Sequence, residues 1–161
     1  MIHNKTTVKL YENITIINKI KIEIMAKLCM GLFSGSLDKL TAAGVILSGA
    51  AADDMDVEVY VLLQGARAFI KGNENKIDNL AEASHLKDEF MNALKSLNVS
   101  TWYEFFEMAK EMTNVKVYIC SLAGKIWGGE KLEDFNDLTD DICGIGEYLT
   151  AAEEADIHMF I

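Results

Sequence analysis

Val115 to Gly124, VKVYICSLAG, is the stretch that separates strand from helix in this chain. Val115, Val117, Tyr118 and Ile119 are β-branched or aromatic, in a run too short and too continuous to be one face of a helix. It predicts a strand buried on both sides, with Asn114 closing the helix before it and Cys120 ending it. From Ser121 a new turn or helix begins. In an open parallel sheet, ligands bind beyond the carboxyl ends of the strands. A thiol at that edge is partly exposed and faces the positive end of the next helix, which favours the thiolate. The competing reading of Cys120 is a small buried core residue, because free cysteine is among the most buried side chains.

Upstream, Lys27 to Phe33 reads as another buried strand running into SGSLDK. Ser34-Gly35-Ser36 is a turn, with Ser36 as N-cap of a helix from Leu37. Leu40, Gly44, Leu47 and Ala51 share one face of that helix, and Gly44 and Gly49 permit close approach to a sheet at some cost in helix stability. Asp53 and Asp54 lead to a strand from Val57 to Leu63, completing a right-handed βαβ unit. Arg67, the only arginine, follows it between Gly65 and Gly72. Leu80, Ala83, Leu86, Phe90, Leu94 and Leu97 predict a helix. The capping box Thr101-x-x-Glu104 opens another, with Trp102, Phe105, Phe106, Ala109 and Met112 on its apolar side.

Downstream, Asp141-Ile142-Cys143 predicts a short strand, Gly144-Ile145-Gly146 a turn into a helix from Glu147 to Glu154, and Ile157 to Ile161 a last strand. Strands and helices alternate, so the class is α/β with helices on both faces of a mainly parallel sheet. Residues 1–24 stand apart. Val8, Leu10, Ile14, Ile16, Ile20, Ile22 and Ile24 alternate with polar residues, which reads as an extension holding an extra strand or edge hairpin.

The 161 residues suit one domain, half of them hydrophobic and a quarter charged. A net charge of −10 disfavours nucleic acid and anionic membranes as partners. The longest apolar stretch, Ala42 to Ala52, is too short to span a bilayer. No signal peptide is expected, and three cysteines without framework spacing fit a reducing cytoplasm. Cys29, Cys120 and Cys143 with His3, His85 and His158 lack zinc spacing, and the acidic pairs Asp53-Asp54 and Asp140-Asp141 lack the calcium-loop pattern, so no metal is expected.

The segments MGLFSGSLDKLTAAGVILSGAAA, WYEFFEMAKEM, VKVYIC and AAEEADIHMFI follow the order and spacing of the DsrE/DsrF-like family. From Met25 to Ile161 the chain resembles that family, most closely its branch of uncharacterised peroxiredoxin-like or DsrE-like proteins. The resemblance implies a flavodoxin-like three-layer sandwich with a five-stranded parallel sheet. It also implies assembly as trimers or hexamers, sulfane sulfur carried on a cysteine, a TusA-like carrier as protein partner, and no cofactor. The family's strand-end cysteine falls on Cys120. Where some members place a second cysteine in the following loop, this chain has Lys125-Ile126-Trp127-Gly128, which leaves Cys143 as the thiol that could approach Cys120.

Sulfur transfer needs a thiolate whose pKa lies near ambient pH, since nucleophilicity falls as the pKa falls. The expected working residues are Cys120 and Cys143, with Ser34, Gly35, Ser36, Arg67 and Lys125 binding substrate. Lys125 would lend positive charge one turn past Cys120, and Arg67 offers a fork suited to sulfate-like or carboxylate groups. Cys29, inside the first strand, is expected to be an inert core thiol. SGSLDK also resembles the SGGxDS turn of ATP-pyrophosphatase domains, but Ser36 and Lys39 replace two key residues, so a helix cap is the better reading. The rival function is a non-catalytic oligomeric module that binds a small ligand in the same cleft.

Overall fold

Strands β1 (Lys27–Leu32), β2 (Asp56–Val61), β3 (Val115–Cys120), β4 (Asp141–Cys143) and β5 (Ile157–Phe160) pair in parallel throughout. Their order across the sheet is β4-β3-β2-β1-β5. The computed structural model describes residues 25–161, so the strand or hairpin expected in residues 1–24 lies outside the described residues. Helices α1 (Leu37–Ala52), α2 (Ala66–Phe69), α3 (Lys87–Ser96), α4 (Trp102–Met112), α5 (Ser121–Ile126) and α6 (Ile145–Glu154) make the crossovers. The result is the expected α/β sandwich, with a core on each face of an all-parallel sheet.

Period-two patterning builds the larger core. Leu28, Met30 and Leu32 of β1, Val57, Val59 and Val61 of β2, and Val115, Val117 and Ile119 of β3 all point to one face and are buried. Leu40, Ala43 and Leu47 of α1 and Trp102, Phe106 and Ala109 of α4 close over them. Each fully buried large side chain contributes about 1.5–3 kcal/mol, so this layer carries most of the stability. Gly44 of α1 sits so close to α4 that an added Cβ would lie 2.6 Å from Phe105 Cβ. The close approach is therefore helix to helix, and among the described residues Gly49 meets nothing within 4 Å.

The opposite face holds a smaller cluster, Cys29, Tyr60, Cys143, Tyr148 and Ala151, beneath α6. Tyr60 and Tyr118 stack at 5.0 Å, and the Tyr148 hydroxyl lies 2.6 Å from His158 Nε2. Because α6 packs over β1, β3 is not covered on both sides as expected. Val115, Val117 and Ile119 are buried, whereas Lys116 is exposed and Tyr118 and Cys120 are half-buried.

The helix expected from Leu80 to Leu97 is shorter. Ala83 turns into the left-handed region at φ +47°, and a 3-10 turn, Ser84–Leu86, precedes α3. The residues before it serve α1 instead: Leu37 N–H donates to the Asn79 carbonyl at 2.8 Å and Ala81 N–H to Asp38 Oδ1 at 2.9 Å.

Candidate functional site

Cys120 is the last residue of β3 and the N-cap residue of α5, with extended backbone (φ −60°, ψ 124°) and no side-chain capping bond. Its side chain is half-buried and packs against the edge of the main core. Cys143 ends β4 and is its partner in the parallel register, on strands about 4.8 Å apart. All three cysteines are free thiols. Burial pushes the Cys143 thiol up to about 12, reinforced by the negative charges of Glu147, Cys120 and Asp141. Cys29, wholly buried, is pushed up to about 11 by burial and by Glu58, with Lys27 opposing. Both are buried and kept as thiols near neutral pH, and Cys120 is the one of the three that reaches solvent.

Asp140 fixes the entry to β4. Its carboxylate accepts hydrogen bonds from Lys110 Nζ and from Val117 N–H at 2.8 Å, and pairs with Lys116 at 3.3 Å. Burial would raise its pKa, but the Lys110 hydrogen bond, the Val117 amide and the two lysine charges together hold it below the usual carboxylate value. One side chain thus ties α4, β3 and β4 together, and so helps set the register that pairs Cys120 with Cys143.

The loops after β1 and β2 form a second feature of the same edge. Leu62 N–H donates to Leu32 O and Gly65 N–H to Phe33 O, both at 2.8 Å. Gly35 has no room for a side chain, since a Cβ would lie 2.4 Å from the Gln64 carbonyl oxygen. Between these loops opens a cavity of about 240 Å³ lined by Gly35, Ser36, Gln64, Arg67, Asn79 and Trp127. Ser36 holds the N-cap position of α1 but makes no capping bond. Its hydroxyl lies 3.0 Å from that of Ser34. Asp38, in the first turn of α1, instead accepts a hydrogen bond from the Ala81 amide at 2.9 Å. Burial would raise its pKa, but the Ser36 hydroxyl and the amides of Ala81, Lys39 and Asp38 itself lower it further. The Leu37 amide at the start of α1 is bonded to the Asn79 carbonyl, which disfavours the pyrophosphate cradle that SGSLDK superficially suggests.

Trp127 reaches the cleft from the end of α5 and is locked there by a 2.8 Å hydrogen bond from its Nε1–H to the Leu63 carbonyl. The Arg67 guanidinium lies 6.0 Å from the centre of its ring. The fold therefore gathers Gly35, Ser36 and Arg67 into one cleft, with Ser34 hydrogen-bonded to Ser36. It does not bring Cys120, Cys143 or the exposed Lys125 into the lining of that cleft. Gln64, Asn79 and Trp127 were not anticipated. A tryptophan wedged between a short helix and Gly128-Gly129 was the signal available for the last of them.

A wider groove of about 540 Å³ runs beside α6, lined among others by Lys27, Glu58, Tyr60, Glu147 and Glu154. Within it Glu58 pairs with Lys27 at 3.1 Å and accepts the Tyr60 hydroxyl at 3.0 Å, and burial followed by the Glu58 contact raises the Tyr60 pKa. Among the described residues, no three His, Cys, Asp or Glu side chains are grouped to hold a metal ion. Nor is any helix among them long and apolar enough to cross a membrane.

No family model matches the chain. It is similar to the uncharacterized protein YrkE of Bacillus subtilis (strain 168), with 28% identity over 152 residues, 81% of this chain and 93% of the relative. That name carries no activity.

Proposed function

We propose that this chain is a DsrE/DsrF-like sulfur carrier or sulfurtransferase in which Cys120 accepts and passes on sulfane sulfur. The observation that carries the reading is the contrast among the thiols: Cys120 half-buried at the carboxyl edge, Cys29 and Cys143 buried with raised pKa values. In the first step the Cys120 thiolate attacks the outer sulfur of a donor persulfide. The donor S–S bond breaks, the donor leaves as a thiolate, and Cys120 becomes a persulfide. In the second step an acceptor thiolate attacks that outer sulfur, and Cys120 leaves as the thiolate it began as. No net electrons are gained or lost by the protein. A thiosulfonate donor would be attacked at its sulfane sulfur in the same way.

A TusA-like carrier as acceptor and a trimeric or hexameric assembly belong to the same proposal. Exposed apolar side chains on α5 (Leu122, Ile126) and α6 (Ile145, Leu149) support a protein partner or a second copy near the thiol edge. Cys143, in register with Cys120, is assigned a supporting role: its buried neutral thiol stands beside Cys120 without competing as nucleophile.

The test is exposure of the reduced protein to glutathione persulfide or tetrathionate, read by intact mass spectrometry. Adducts that persist in Cys143→Ser and vanish in Cys120→Ser are expected. Absence of any adduct on Cys120 with both donors overturns the proposal.

A further inference from the structure

We propose that the cleft between the β1 and β2 loops is a binding site for a small, singly charged organic acid. The carboxylate or sulfonate of the ligand sits on the Arg67 guanidinium, and its apolar remainder lies on the Trp127 indole. The site neither contains nor requires Cys120, so it stands apart from sulfur transfer.

The first support is an uncommitted cation. Among the described residues the Arg67 guanidinium has no ion pair and no hydrogen bond. The acids around it are already occupied. Asp78, which feels the Arg67 charge only weakly, is paired with Lys87 at 2.5 Å, and Asp38 is bound by Ser36 and the Ala81 amide. At 6.0 Å from the ring centre, the guanidinium is at the limit of cation–π range, so its fork of N–H donors is free for an oxyanion.

The second support is the wall. The hydrogen bond from Trp127 Nε1–H to Leu63 O fixes the indole before any ligand arrives, so little side-chain entropy is lost on binding. The side-chain amides of Gln64 and Asn79 place further donors around the cavity. Its volume of about 240 Å³ corresponds to roughly eight waters at about 30 Å³ each. That admits an acid head with a ring or short chain. The net charge of −10 repels polyanions more strongly than monoanions, which selects the single charge.

The experiment is titration of the ¹⁵N-labelled full chain with benzenesulfonate, following the indole Nε1–H resonances of Trp127 and Trp102, assigned with Trp127→Phe. A saturable shift of the Trp127 resonance is expected, with the Trp102 resonance unmoved and the same titration in Cys120→Ser. Arg67→Gln, and separately the neutral probe benzamide on the unaltered protein, should each bind about tenfold or more weakly. Lack of saturation with benzenesulfonate, or binding of benzamide equal to it, overturns the assignment whether or not the arginine variant folds. Loss of binding in Cys120→Ser would overturn its independence from the thiol.

Discussion

Cys120 and Cys143 are registered partners at the ends of two parallel strands, yet only the first is open to solvent. The pairing makes one thiol the neighbour of the other while burial assigns them different chemistry. Covering Cys143 costs its thiolate a hydration shell that no cation among the described residues replaces, and the adjoining carboxylates add to the penalty.

Alkylation should follow that difference. Iodoacetamide at pH 8 on the native protein is expected to modify Cys120 at least about tenfold faster than Cys29 or Cys143, because rate follows thiolate fraction and access. Peptide mapping of a time course measures it. Equal labelling of Cys143 would contradict the burial described above.

Stability should decline in alkali. The folded-state pKa values of Cys29, about 11, and Cys143, about 12, lie above the ordinary value of 9.0. The thiols' contribution is therefore fully present below pH 9 and is lost as pH rises through the folded values. The slope is at most about 1.4 kcal/mol per pH unit for each thiol. Urea unfolding between pH 8 and 11 should show the decline, and Cys143→Ala should flatten it while lowering stability at pH 8.

Asp140→Asn should destabilise the fold by about 1–3 kcal/mol, since Lys110 and the Val117 amide lose a charged acceptor. The sign with pH is opposite to that of the thiols. The Asp140 pKa is lowered by folding, so its contribution is present above the unfolded value and disappears as pH falls through the folded one. Chemical denaturation at pH 7 and at pH 3 should show the gap between variant and parent close in acid.

The two glycines of α1 should respond in opposite directions to alanine. Gly49→Ala meets open space and should raise stability by up to about 1 kcal/mol from helix propensity. Gly44→Ala drives a methyl against Phe105 at 2.6 Å and should lower it by about 1–3 kcal/mol. Thermal unfolding of both variants decides the point.

Strand positions and fold class were legible in the sequence because short β-branched and aromatic runs mark buried strands and here alternate with helical segments, although the burial proved to be one-sided, at period two. VKVYIC, KLCMGL and DVEVYV each satisfy that over six residues. The capping box at Thr101 was legible for a similar reason: the Thr101 hydroxyl and Glu104 carboxylate bond across three residues, at 3.2 and 2.7 Å. Leu80 to Ala83 misled because helical spacing of leucines says nothing of long-range bonds, and Asn79 and Ala81 are held by α1.

Local pattern alone therefore fixed the α/β class, the strand ends and the placing of Cys120 at one of them. Neighbours distant in sequence decided everything that distinguishes the sites. Cys143 becomes the buried partner of Cys120 through strand order, and Arg67 meets Trp127 because two loops and a short helix converge at the sheet's edge. Desolvation and charge proximity depend on distances through space, which hydrophobic periodicity along the chain does not encode.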